Sequence, residues 1–304
     1  MKVLVTGSSG MIGTATLQSL VKNEYYDIHF NNRQTCDLLD TNMVLSEFKK
    51  YEPDCVIHLA GYNGNIGFNL AHPTDIYFNT GMMALNVLRA SELTGVKRVI
   101  TAISSCAYPD LFGDMDERNF WEGLPNSTVD CHGLSKRILD GYGMQLKKKG
   151  ISYTSCIINN SFGPYDSLDI NKTKVVTGMI VKFLNAVMYG KDEVVCWGSG
   201  KPKREFIYSK DVGEALVKCI PLTIDRINIS SGHEITIKEL AEKIKTLTGF
   251  TGEIIWDTNK PDGQNQKKLC LNLMHKNLDL KITDFDESLK ETIQWVKSQL
   301  SSNI

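Results

Sequence analysis

The sequence predicts an α/β protein, a doubly wound parallel sheet with a smaller, C-terminally weighted α/β lobe. Three observations lead there. Apolar, β-branched runs recur at residues 2–6, 28–30, 55–59, 98–102, 153–158 and 193–197. Each is short and continuous rather than alternating, as strands buried on both faces are. Helical patterns lie between them at 10–22, 41–50, 73–94, 131–149 and 174–189, so strand and helix alternate along the chain. The first strand also runs directly into a cluster of three glycines. After about residue 220 strands thin out, and helical patterns remain at 236–247 and 286–300. The expected division is 1–164 and 165–304, with a segment near 193–225 returning to the first part.

With 304 residues, 42% of them hydrophobic, the chain can bury a full core as one large domain or two lobes. Its net charge is -1, and no basic block is interleaved with aromatics, which speaks against nucleic-acid binding. Glycine and serine break the apolar run of MKVLVTGSSG almost at once, so neither a secretory signal nor a membrane span is expected. Eight cysteines are scattered from Cys36 to Cys270 without a Cys-x-x-Cys pair or a histidine at ligand spacing. They are expected to be reduced core residues in a cytoplasmic protein, with no metal site.

The stretch VLVTGSSGMIG places Gly7, Gly10 and Gly13 between the first strand and the first helix. Residues without side chains there let the backbone turn tightly, approach a pyrophosphate and pack the helix on the sheet. Gly7, Ser8, Ser9, Gly10, Met11, Ile12 and Gly13 are thus the candidate cofactor loop of a Rossmann-type sheet. A cofactor lacking a 2′-phosphate usually meets a carboxylate at the end of the second strand. Here that strand runs into Phe30-Asn31-Asn32-Arg33. Arg33, with Ser8 and Ser9, suits a 2′-phosphate, which favours NADP(H) over NAD. Asp37 and Leu38 follow, either flanking the adenine or opening the next helix.

Further pieces extend the pattern: His58-Leu-Ala60 after the third strand, SSCAYP from Ser104 after the fourth, and Ser135-Lys136 on a helix. With the glycine loop, these resemble the extended short-chain dehydrogenase/reductases that act on nucleotide sugars. WGSGKPKREFIYSKDV at 197–212 and KPDG at 260–263 are similar to the GDP-L-fucose synthase branch, and the likeness runs along nearly the whole chain. The resemblance implies a two-lobed fold, a reduced nicotinamide cofactor, a GDP-sugar substrate and a homodimer built on helices 73–94 and 131–149. Carried over by position, it places Ser104 on the reacting sugar oxygen, and Lys136 and Ala60 at the cofactor. It places Lys182, Trp197 and Arg204 at the substrate. The plainer readings are a core tryptophan and two solvated cations.

The chain departs from that branch at three places. The usual tyrosine acid, four residues before the lysine, is His132 here. His132 and Lys136 share a helix face, and the lysine should depress the imidazole pKa and leave it neutral at pH 7. A neutral ring can donate one N–H to a developing alkoxide, and a protonated minority could transfer a proton. Alternatively Ser104 or a water donates, or the pair is only a solvated helix face. Second, the branch uses a cysteine and a histidine as the acid-base pair of its epimerisation. Cys106 matches the cysteine, but Lys174 stands at the histidine position. Third, after KPDG, Lys267 and Lys268 stand near the branch's arginine, and Leu271 where its aspartate belongs.

The expected activity is NADPH-dependent reduction of the 4-keto group of a GDP-4-keto sugar, a deoxyhexose or heptose for bacterial surface polysaccharide, without epimerase activity. The alternatives are a complete 3,5-epimerase/4-reductase and a catalytically silent NADP-binding regulator.

Overall fold

The computed structural model describes residues 1–22, 26–110 and 113–301. The chain begins β1 (Lys2–Thr6), α1 (Met11–Val21), β2 (Asp27–Asn31), α2 (Thr41–Tyr51) and β3 (Cys55–His58). It continues through α3 (Ile66–Ala71), α4 (Pro73–Thr94), β4 (Arg98–Ser104), α5 (Asp130–Lys147) and β5 (Ser152–Ile158). Then follow β6 (Asn160–Phe162), α6 (Val175–Met188), β7 (Glu193–Trp197), β8 (Lys203–Tyr208), α7 (Ser209–Lys218) and β9 (Arg226–Ile229). The chain closes with β10 (Glu234–Thr236), α8 (Ile237–Thr248), β11 (Glu253–Asp257), β12 (Gln266–Lys267), α9 (Asn272–Asn277) and α10 (Phe285–Ser301). No helix among the described residues is long and apolar enough to cross a membrane.

The main sheet has six parallel strands in the order β2-β1-β3-β4-β5-β9. Val3, Leu4, Val56, Ile57, Val99 and Ile100 are fully buried in it. Such side chains each contribute about 1.5–3 kcal/mol by leaving water. Helices α1 and α7 cover one face; α2, α4 and α5 cover the other. The direction of strand addition reverses between β1 and β3, which opens a crevice beyond their carboxyl ends, where ligands of this architecture bind. The doubly wound α/β fold expected from the alternating runs is therefore the fold observed.

One strand lies elsewhere than expected. Residues 193–197 do not continue the main sheet; they form β7, paired in parallel with β11 in a separate two-stranded sheet. Their burial explains this. Val194 and Cys196 face inward, while Val195 and Trp197 are 43% and 46% exposed. A strand that is dry on one side only cannot occupy a sheet covered on both faces. The sixth strand is β9, and the chain reaches it through α7. Gly213 of α7 lies so close to α1 that a Cβ there would sit 2.5 Å from the Ala15 carbonyl carbon.

The second lobe collects β6, β8, β10 and β12 in one small sheet, with α6, α8 and α10 around it. Its own core centres on Phe162, Ile180, Phe183, Phe206, Leu240 and Val296. Because β8 carries Arg204 and β12 carries Lys267, this sheet aims cations at the crevice.

Candidate active site

At the cofactor end the backbone does most of the shaping. Gly7 has φ 73°, and a Cβ on it would lie 2.6 Å from the Ala60 nitrogen; one on Gly13 would lie 2.2 Å from the Gly7 carbonyl oxygen. Gly10 differs: its nearest neighbour is the Gly7 oxygen at 3.6 Å, so that side stays open. Gly10 is also the N-cap of α1, with no side-chain cap and no acidic residue in the first turn. A helix start with free N–H groups and a bare approach fits a pyrophosphate.

The other expected cofactor residues are placed unevenly. Ser8 is buried and its hydroxyl donates to the Asn31 carbonyl at 2.8 Å, tying the loop to β2. Ser9 and Arg33 are exposed, Arg33 just past β2. The Met11 side chain lines a separate small cleft with Tyr165, Lys210 and Trp295, while its backbone opens α1. Leu38 is buried in the main core. Asp37 accepts the Leu39 N–H at 3.1 Å, and Asp40 rather than Asp37 caps α2.

A cavity of about 960 Å³ runs from Ile12, Leu59 and Gly61 to Trp197 and Arg204. Ser104, Cys106, His132, Lys136, Lys174 and Lys182 all line it. Eight residues separated by up to a hundred positions in sequence thus converge, while the glycine loop before Ile12, with Arg33, Asp37 and Leu38, stays outside the lining.

His132 and Lys136 rise from the first two turns of α5, both nearly fully buried. The solvated helix face is excluded. Lys136 Nζ donates to the Ala60 carbonyl at 3.3 Å and the Ala102 carbonyl at 3.2 Å, at the ends of β3 and β4. Burial, and then Lys174, lower its pKa to about 8. It still carries its charge at pH 7. Burial, and only then Lys136, Lys174 and Lys267, push the His132 pKa down to about 3. The depression expected from the lysine is real, but desolvation is its larger cause. Four pH units below neutrality leave about one ring in ten thousand protonated at pH 7, so an imidazolium minority supplies no proton. The Asn63 amide Nδ2 lies 3.1 Å from His132 Nε2. An amide nitrogen only donates, so Nε2 accepts and the ring proton sits on Nδ1. Nδ1 has no partner among the described residues. That donor is closed to solvent.

Ser104 Oγ accepts the Cys106 N–H at 3.2 Å, and its hydroxyl also meets the Cys106 side chain. Toward the far end, Trp197 lies half exposed against α3: a Cβ on Gly67 would touch its ring at 3.3 Å. The Lys260 ammonium sits 5.1 Å over that ring. Lys182 Nζ donates to the Val195 carbonyl at 2.9 Å, and Lys174 Nζ to Ser161 Oγ at 3.5 Å. Arg204 donates to the Lys203 carbonyl at 2.7 Å and keeps the rest of its guanidinium in the cavity. The plain reading of Trp197 as core does not hold.

Asn63 was not singled out from sequence, and Lys267 was noted only as standing near the branch's arginine. Asn63 lies in GYNGN, just past β3, where the carboxyl-end rule for parallel strands points. Lys267 is buried, and its Nζ donates to Cys106 Sγ at 3.2 Å. Its neighbour Lys268 is exposed and pairs with Asp114 instead. Leu271 packs in the main core.

Residues 3–229 match the model of the NAD dependent epimerase/dehydratase family. This chain belongs to that family. It is accordingly an NAD(P)-dependent enzyme, as the glycine loop led us to expect. Among its relatives is a GDP-L-fucose synthase of Sinorhizobium fredii, 33% identical over 88% of this chain and 86% of that protein. A GDP-L-colitose synthase of Yersinia pseudotuberculosis is 26% identical over the full length of both. A GDP-L-fucose synthetase of Naegleria fowleri, crystallised with NADP, superposes with a TM-score of 0.90 at 29% identity, covering 99% of this chain and 95% of that one.

Proposed function

We propose that this protein reduces the 4-keto group of a GDP-4-keto sugar with NADPH. One observation carries the reading: Ser104, His132 and the charged Lys136 line one cavity that runs from Ile12, beside the open glycine loop, to Arg204. The reduced nicotinamide supplies the hydride when bound. The chain supplies the rest. The Ser104 hydroxyl meets the negative charge that grows on the sugar oxygen, neutral His132 flanks it, and Lys136 orients the cofactor ribose. Arg204, Lys182 and Trp197 hold the nucleoside diphosphate, a role that suits a guanidinium fork and an exposed indole. GDP-sugar names among full-length relatives support the substrate class. Arg33, with no acid at the end of β2, supports NADP(H).

Lys174 stands where the resemblance places an acid-base histidine, so the reading excludes inversion of both carbons beside the ketone. It also has the enzyme working in the cytoplasm as a homodimer across α4 and α5; Tyr77, Phe78 and Leu85 of α4 lie exposed. The substrate is a deoxyhexose or heptose.

The test is to follow loss of reduced nicotinamide when the purified protein meets GDP-4-keto-6-deoxymannose, with NADPH and NADH in parallel. Consumption of NADPH in preference to NADH, with kcat lowered about a hundredfold in Ser104→Ala and KM nearly unchanged, is the expected result. No consumption with this sugar or its heptose analogue would overturn it and favour the silent regulator.

A further inference from the structure

Cys106 is not the isolated buried thiol it resembles in sequence. It sits in the middle of the short turn Ser105–Ala107 after β4, is partly exposed, and lines the same cavity as His132. Lys267 approaches from β12 with its Nζ 3.2 Å from Sγ. A buried ammonium needs an anion or several acceptors near it. Among the described residues the ion pair closest to it in sequence belongs to Lys268 and Asp114. The remaining groups that act on the thiol are Arg204 from β8 and Cys131 from α5, and His132 of α5 lines the same cavity. His132 is neutral and Cys131 is held protonated, its pKa raised by burial.

We propose that Lys267 is the positioning residue that keeps Cys106 as a thiolate, and that this pair exchanges the proton on one carbon beside the ketone of the bound sugar. Electrostatics agree with the geometry: burial pushes the Cys106 thiol up, but the Lys267 ammonium, the Ser104 hydroxyl and the Arg204 guanidinium outweigh it and hold it below its ordinary value. A lysine therefore supplies the charge on the sulfur side, although Lys174 has removed the histidine from the other.

The step balances without a further reagent. The thiolate takes the proton from carbon, and the C–H electron pair becomes the new C=C of an enolate. The negative charge moves to the former carbonyl oxygen, where the Ser104 hydroxyl, released once the sulfur is protonated, donates to it. Reversal returns a proton from Sγ to the same carbon. With one such pair, exchange occurs at a single carbon and the two-centre inversion does not follow. The exchange half of this inference rests on the proposed function; the state of the thiol does not.

Iodoacetamide labelling across a pH series, with Cys106 read by peptide mass mapping, tests the pair without any turnover. Wild-type labelling should have its midpoint below the ordinary thiol value of about 8.5. Lys267→Met should raise that midpoint by at least about one pH unit, and Lys267→Arg should restore it. A wild-type midpoint at or above 8.5, or one that Lys267→Met leaves in place, overturns the pair. The second measurement is reduction of GDP-4-keto-6-deoxymannose by NADPH in deuterated water, with NMR of the product. One deuterium beside the former ketone is expected, absent in Cys106→Ser and incorporated more than tenfold more slowly in Lys267→Met. Reduced product carrying no deuterium overturns the exchange. If no sugar is reduced, the proposed function fails, and labelling alone decides whether Lys267 holds the thiolate.

Discussion

The cofactor loop beside the cavity and the sugar end of the cavity are made of different material. At the cofactor end the recognising surface is backbone: Gly7 against Ala60, Gly13 against Gly7, and the uncapped start of α1. At the sugar end it is side chains, with Lys174, Lys182, Arg204, Lys267 and His132 reaching in from α6, β8, β12 and α5. Backbone recognition depends on where the chain can go, so its requirements are steric and hold at fixed spacing. Side-chain recognition depends on which groups are present, and one substitution changes the chemistry without moving the fold. The difference teaches where this enzyme's particular reactivity lies: in the replacements His132 and Lys174 and in the contact between Cys106 and Lys267.

That contrast can be broken most severely at Gly13. Gly13→Ala puts a Cβ 2.2 Å from a backbone oxygen with no room to yield, and it is expected to cost more than about 3 kcal/mol or prevent folding. Chemical denaturation would measure it. Lys136→Met should leave the circular dichroism unchanged and lower kcat/KM on the order of a thousandfold. In the wild type, kcat should hold from pH 5 to 7 and fall as pH rises through about 8, where Lys136 loses its charge. His132 adds no acid limb in that range, being already neutral. Both pKa values are depressed by folding, so the unfolded chain binds more protons and stability rises with pH across each window. The windows run from about 3 to 6.5 for His132 and from about 8 to 10.5 for Lys136.

The contrast can be sharpened at Gly10, whose backbone angles suit any residue. Gly10→Ala should change stability by less than about 0.5 kcal/mol while weakening NADPH about tenfold, because the methyl enters the pyrophosphate approach. A loss of stability equal to that of Gly13→Ala would erase the distinction. The smallest effect is expected at exposed Arg33. Arg33→Ala should raise the Kd for NADPH about fivefold, near 1 kcal/mol, and leave that for NADH alone. Isothermal titration of both cofactors would show it.

Much of the fold was legible because continuous apolar runs and glycine spacing are local signals. β7 was not, since its pattern reads as a strand but only its alternating burial reveals which sheet it joins. At the site, Ser104, Lys136 and Arg204 carried motif context. Met11 and Leu38 belonged to a motif by position, yet one faces a separate cleft and the other the core. The Cys106–Lys267 contact spans 161 positions and forms because β12 pairs with β8. No local pattern encodes that pairing. Even for His132, the spacing to Lys136 showed the direction of the shift, while its main cause, burial, required the packed structure.

The Asn63 amide on His132 has a consequence for the direction in which protons travel. Histidines that relay protons take one up at one ring nitrogen as they release another. Here the rear nitrogen is occupied by a group that can give a hydrogen bond but has no proton to surrender. The other nitrogen is unpartnered among the described residues and closed to solvent, so the ring passes no proton in either direction. Whatever proton ends on the sugar oxygen enters from the cavity side, through solvent or the substrate's own hydroxyls, and the access of water to that cavity belongs to the catalytic cycle as much as any side chain does.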